Sequence, residues 1–238
     1  MEDLSHHLQK QIHASRDFFW HRIRWKAVSH YLPAKGSFNF LDIGAGAGLF
    51  GQYLNADFPE GRYYFVEPLE SLRQHLATTF GSDRDLSEKQ AYPKIHSVVL
   101  LDVIEHMQDD KAFVETIVRK MDSSSRLIIT VPAFQFFWSP WDEILGHFRR
   151  YSKENMRELL QNLPLTIKES SYLFPEMIPL ALLRKLKKKE ENKEGKDAEF
   201  PDLPKAVNAF FYALASVSFF SRRLFPFGTS LFIVAEKN

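Results

Sequence analysis

The sequence predicts an α/β fold, a mostly parallel central sheet with helices on both faces. Three observations predict it. Short apolar runs of strand length alternate with helical stretches between Phe38 and Val131, and such alternation buries a parallel sheet between two helix layers. A glycine-rich turn, Gly44 to Gly48, joins the first run to the helix after it. The chain has 238 residues, 45% of them hydrophobic, enough for one sizeable core with a small appended element.

Residues 3–32 contain no Gly or Pro and mix apolar with basic side chains. They predict one or two helices ending before Pro33. Phe38 to Ile43 predicts a short buried strand, and Leu49 to Asp57 the helix after the glycine turn. Arg62 to Glu67 is a second strand and Leu69 to Phe80 a second helix. Ser97 to Asp102 is a further strand, residues 109–121 a helix, and Arg126 to Val131 a strand stopped by Pro132. A regular pattern calls for one more strand between Gly81 and His96. No apolar run is found there, so that strand is expected to be short or degenerate. Beyond Pro132, Ala133 to Trp141 reads as an aromatic loop. Ser152 to Leu163 reads as a helix with Ser152 as its N-cap, and Leu165 to Ser170 as a strand. Residues 176–189 begin apolar and end basic. The charged stretch 190–199 reads as an exposed loop, 205–224 as a strongly apolar helix, and Ser230 to Ala235 as a closing strand. There is no internal repeat.

Composition narrows the function. The 31 basic residues balance 30 acidic ones, which leaves no electrostatic footprint for a nucleic-acid backbone. The absence of cysteine excludes disulfides and a thiolate-ligated metal and fits a reducing cytosol. The acidic, polar start from Met1 to His7 lacks the pattern of a signal peptide, and no run is long enough to span a bilayer. A cytoplasmic location is expected. The 22 phenylalanines exceed what a core of this size needs and suggest a greasy pocket or surface.

The chemistry concentrates at the glycine turn, Asp42-Ile43-Gly44-Ala45-Gly46-Ala47-Gly48. Glycine permits positive φ and lets a ligand approach the backbone. The helix that follows offers free N–H groups to negative charge, carboxylate or pyrophosphate alike. Two registers are present. Asp42 precedes a G-x-G-x-G run, while Gly46-x-Gly48-x-x-Gly51, with Glu67 about twenty residues on, satisfies the dinucleotide pattern. The turn alone does not choose between cofactors. The ordinary alternatives are a tight turn without ligand and a surface carboxylate at Glu67.

Asp42 to Gly48, followed by Glu67 at the end of the second strand, resembles the class I S-adenosylmethionine-dependent methyltransferases. Leu101-Asp102-Val103-Ile104-Glu105-His106 resembles the fourth-strand motif of their type 11 and type 23 branch. Val131-Pro132-Ala133-Phe134 and Gly146-His147-Phe148-Arg149-Arg150-Tyr151 resemble a subgroup with a Gly-His-x-Arg-Arg-Tyr segment. Residues 18–24 are similar to the aromatic, basic helix before the first strand in that subgroup. The likeness there is looser, because Asp17-Phe18-Phe19 stands where many members have His-Trp-Trp.

The resemblance implies a Rossmann-like methyltransferase fold with an antiparallel last strand. It implies one domain: a helical cap (1–35), a cofactor-binding core (36–170), a helical excursion (171–228) and a final strand (229–238). The cofactor is then S-adenosylmethionine and the product S-adenosylhomocysteine. Asp42, Gly44, Gly46, Gly48, Glu67, Pro68 and Asp102 are the expected cofactor residues. His106 and His147 are the candidate bases, and Trp138, Arg149, Arg150 and Tyr151 the candidate acceptor residues. Against these roles stand a structural His106 and an Arg149/Arg150 network with Asp142 or Glu143. The expected reaction is metal-independent methyl transfer to a small-molecule, lipid-linked or sugar-linked acceptor. The competing readings are an NAD-dependent oxidoreductase and an inactive cofactor-binding scaffold. The Phe-rich helix 205–224 is expected to cap the acceptor pocket, with a homodimer contact or peripheral membrane contact as alternatives.

Overall fold

A computed structural model describes residues 16–89, 91–186 and 203–238. The expectations for residues 1–15, for the end of the basic run at 187–189 and for the loop at 190–199 lie outside these residues.

Helix α1 (Phe19–Ser29) comes first. Then β1 (Phe38–Ile43), α2 (Leu49–Asp57), β2 (Gly61–Val66), α3 (Glu70–Phe80), β3 (Ser97–Leu101), α4 (Asp110–Lys120) and β4 (Arg126–Pro132) alternate. Helices α5 (Pro140–Ile144) and α6 (Lys153–Leu160) precede β5 (Leu165–Leu173). Helices α7 (Ile178–Leu186) and α8 (Lys205–Phe220) precede β6 (Ser230–Lys237). The six strands form one sheet in the order β2-β1-β3-β4-β6-β5. The first four are parallel, and β6 is antiparallel to both β4 and β5. This is the mixed, Rossmann-like architecture that the sequence leads one to expect.

Side chains alternate across each strand, and here both faces are covered. Leu41, Ile43, Val98, Leu100, Leu127 and Ile129 pack on α4 and α6 through Val114, Ile117, Met156 and Leu160. Phe38, Phe40, Val99, Ile128, Phe232 and Val234 pack on α1, α2 and α8 through Ile23, Val28, Phe50, Leu54 and Phe219. Burial on both faces is why the strands read as continuous apolar runs.

The weak strand between Gly81 and His96 is a single parallel bridge, Phe65 to Asp85. There the Leu86 N–H donates to the Phe65 carbonyl at 2.9 Å. Only Leu86 and Ile95 of this stretch bury apolar side chains, too few to extend it. Strand β5 runs three residues past its expected end at Ser170. Its polar Ser171 is buried because its hydroxyl bonds Glu169. Helix α5 interrupts the expected aromatic loop. Ser139 and Asp142 form a capping box around Pro140 at the first helical position.

Helix α8 lies against α1. Ala215, Ser218 and Phe219 are buried, while Phe210, Val217 and Phe220 are exposed. Among the described residues, no helix is long and apolar enough to cross a membrane.

Candidate functional site

Parallel pairing of β1 with β2 and β3 brings three carboxyl ends to one edge of the sheet. In open α/β sheets that edge is where ligands bind. Gly44 leaves β1 with φ 73° and donates its N–H to the Val66 carbonyl at 2.8 Å. A Cβ there would meet Val103 Cγ2 at 2.7 Å. Gly46 also has positive φ, and Gly48 is the left-handed residue opening α2. No side chain caps that helix start. A Cβ on Gly48 would strike Leu76 at 2.5 Å, and one on Gly51 the rings of Tyr63 and Phe80 at 2.7 Å. The second glycine register thus has a cause in helix packing alone.

Glu67, 3% exposed, reaches across from the end of β2. Its Oε2 accepts from the Gly46 N–H at 2.8 Å and its Oε1 from the Leu69 N–H at 2.9 Å. A carboxylate has about four lone-pair positions, so each oxygen keeps one. Burial raises its pKa, against the two backbone bonds. Pro68 beside it is exposed. Asp42 is buried, and its Oδ2 accepts from the Tyr63 hydroxyl at 2.9 Å. Burial pushes its pKa up to about 7, and Glu67 adds to the rise. As placed, Asp42 is tied to β2 through Tyr63.

Asp102 follows β3 with φ 59°, a left-handed backbone that a non-glycine residue adopts at a cost. Its Oδ2 lies 3.0 Å from Arg24 Nη1. Arg24 Nη2 donates to Thr130 Oγ1 at 2.7 Å, and Thr130 Oγ1 donates to Asp102 Oδ1 at 3.3 Å. Helix α1 is thereby tied to the ends of β3 and β4. Sequence reading did not single out Arg24 or Thr130.

The two candidate bases meet. The rings of His106 and His147 lie 4.7 Å apart, edge to face. His147 Nδ1 lies 3.0 Å from Asp142 Oδ1. Asp142 is also gripped by Arg150 through Nε at 2.7 Å and Nη2 at 2.9 Å, and by the Ser139 N–H. Burial pushes the Asp142 carboxyl up, but His147, Arg150 and Ser139 outweigh it and hold it down at about 2. Burial and then His147 lower His106 to about 4, so it is neutral near pH 7. Glu105 is fully buried, and neither of its carboxylate oxygens has a hydrogen-bond partner. Ligand atoms of Glu105, His106 and His147 all lie within 4.8 Å of one another.

The acceptor candidates divide. Arg150 is taken up by Asp142. Arg149 pairs with Asp110 at 3.0 Å and donates to the Gln108 carbonyl, leaving its side chain about one-third exposed. Tyr151 is buried, its hydroxyl on Asp110 Oδ2 at 2.7 Å. Trp138 is half-buried. The segment 146–151 therefore carries the ion-pair network that stood as the alternative, with Asp110 as a partner the sequence did not reveal.

The methyltransferase domain family matches residues 4–170. No curated protein matches the chain. Among solved structures, the chain is similar to one from the complex between the Haloferax volcanii Trm112 methyltransferase activator and a methyltransferase. They share 16% identity and a TM-score of 0.59, over 97% of each chain. It is similar to a SAM dependent methyltransferase from Archaeoglobus fulgidus, with 17% identity and a TM-score of 0.55, over 96% of this chain and 97% of that one. It is also similar to phosphoethanolamine N-methyltransferase 2 of Haemonchus contortus, solved with S-adenosyl-L-methionine, with 15% identity and a TM-score of 0.54. That match covers 90% of this chain and spans 52% of the Haemonchus contortus chain. At these identities the likenesses establish the fold.

Proposed function

The chain belongs to the methyltransferase domain family, and from that premise we propose that it transfers a methyl group from S-adenosylmethionine to a small-molecule, lipid-linked or sugar-linked acceptor. One observation carries the cofactor: the Glu67 carboxylate of β2 is bonded to the glycine turn of β1 and keeps free lone pairs. A carboxylate so placed suits a ribose diol, which donates two hydrogen bonds. Gly44, Gly46 and Gly48 leave the turn open to the cofactor's amino-acid end, with the uncapped start of α2 favouring its carboxylate. Asp102, held by Arg24 and one-third exposed, has a face left to accept from an ammonium group.

When bound, the cofactor supplies an electrophilic methyl on a sulfonium whose departure is as a neutral thioether. The chain's own residues then have little covalent work. They align the acceptor and exclude water. Asp142 fixes the tautomer and orientation of His147 by accepting from Nδ1–H, which leaves the Nε2 lone pair free. Helices α1 and α8 close one side of the sheet through Trp20, which stacks on Phe174 at 3.8 Å, and Phe19, which stacks on Phe211 at 5.4 Å. The family match disfavours the dinucleotide reading, whereas Gly51, packed on Tyr63 and Phe80, fits either register.

The test is transfer of labelled methyl from S-adenosylmethionine into lipid, sugar and small-molecule fractions. Label in one fraction, lost in Glu67→Ala, is expected. Cofactor binding without transfer into any fraction would instead favour a scaffold.

A further inference from the structure

We infer that Glu105, His106 and His147 form a binding site for a first-row divalent transition-metal ion such as Zn2+. Glu105 and His106 come from the turn Ile104–His106 after β3, and His147 from the loop after α5. Three potential ligands thus converge from two segments, with ligand atoms mutually within 4.8 Å. Donor atoms around a tetrahedral ion with bonds of about 2.1 Å stand roughly 3.4 Å apart, so side-chain movements of about 1 Å close the set.

The independent observation is the state of the ligands. Glu105 is 0% exposed, and both its oxygens lack a hydrogen-bond partner. His106 Nδ1 is likewise buried without one. Buried polar atoms in folded proteins are nearly always bonded, and each exception calls for an explanation, such as an ion. His147 has the complementary feature. Its Nδ1 is held by the Asp142 carboxylate at 3.0 Å, the outer-shell arrangement that orients metal-ligating histidines and presents Nε2. Asp142 is itself fixed by Arg150 and Ser139. Two imidazoles and one carboxylate, with no thiolate in the chain, select Zn2+, Co2+, Fe2+ or Ni2+ over Cu+, and leave positions open. On the proposed methyl transfer, and resting on that reading, an open position would receive the acceptor's heteroatom. Binding of the ion does not depend on it.

Chelator-stripped full-length protein is dialysed against Zn2+, and in parallel against Co2+ with the visible spectrum recorded. One ion per chain is expected, with Co2+ bands changed by Glu105→Gln and by His147→Gln. Each substitution should lower Zn2+ affinity by about 100-fold or more. A His6→Ala/His7→Ala double variant should bind as the parent does. Adenosylhomocysteine affinity, measured on the same samples, should be retained in Glu105→Gln, which shows the variant folded and tests the methyltransferase reading separately. Absence of stoichiometric Zn2+ binding, or equal binding by Glu105→Gln, overturns the site.

Discussion

Single side chains decide whether the glycine turn works. Glu67→Ala removes the acceptor expected for the ribose and should weaken adenosylhomocysteine binding by about 1.5–3 kcal/mol, the scale of a hydrogen bond to a charged group. Titration calorimetry reads this directly, and unchanged affinity removes the ribose role. Gly48→Ala places a Cβ against Leu76 and Phe80 at a positive φ, so a loss of about 1–3 kcal/mol in a urea melt is expected. Glu169 gives a pH signature. Burial pushes its carboxyl up, but Arg222, Tyr31, Arg223 and Ser171 hold it down at about 2 from an ordinary 4.5. Its folded pKa is therefore depressed. The stabilisation is complete above about pH 4.5 and is lost as pH falls toward 2, with an upper bound of about 3 kcal/mol. Urea midpoints from pH 7 to pH 3 should fall less in Glu169→Gln than in the parent. Asp42, the glycines and Glu67 were legible in sequence because their meaning is local: an acid, a turn, and an acid one strand later. Arg24 with Thr130 was not, since 106 residues separate them and nothing in an amphipathic helix announces which arginine turns inward.

Elements followed periodicity where burial is two-sided and departed from it where a cap or an edge decides. The four parallel strands fell within a residue or two of their expected ends, because continuous apolar runs between turn signals have few other uses. Helix α5 was missed although Ser139-Pro140-Trp141-Asp142 is a helix start, because aromatic residues masked its polar cap. Helix α1 lacks a local cap: Phe18 offers none. Instead Asn208 of α8 accepts from the Phe19 N–H at 2.8 Å and donates to the Asp17 carbonyl at 2.7 Å. Asn208→Ala should cost about 1 kcal/mol and speed amide exchange at the start of α1, leaving exchange in β3 and β4 unchanged. Equal exchange in α1 would show that apolar packing alone seats the helix.

At the scale of the molecule, the alternating pattern specified the sheet and its layers, and the antiparallel β6 between β4 and β5 completed an arrangement suggested by family likeness. The Phe-rich excursion was harder to place. An all-round apolar helix says that something covers it without saying what. Here α1 covers one side, and Phe210, Val217 and Phe220 remain exposed. The acceptor was not legible either, because fold and cofactor cleft are shared across many substrates and Arg149, Arg150 and Tyr151 are taken up by Asp110 and Asp142. Cofactor choice is the claim on which the rest stands. Calorimetry of the full chain with S-adenosylhomocysteine and, separately, NAD tests it most directly. One site per chain for S-adenosylhomocysteine and no heat with NAD is the predicted result. Binding of NAD with none of S-adenosylhomocysteine would contradict it.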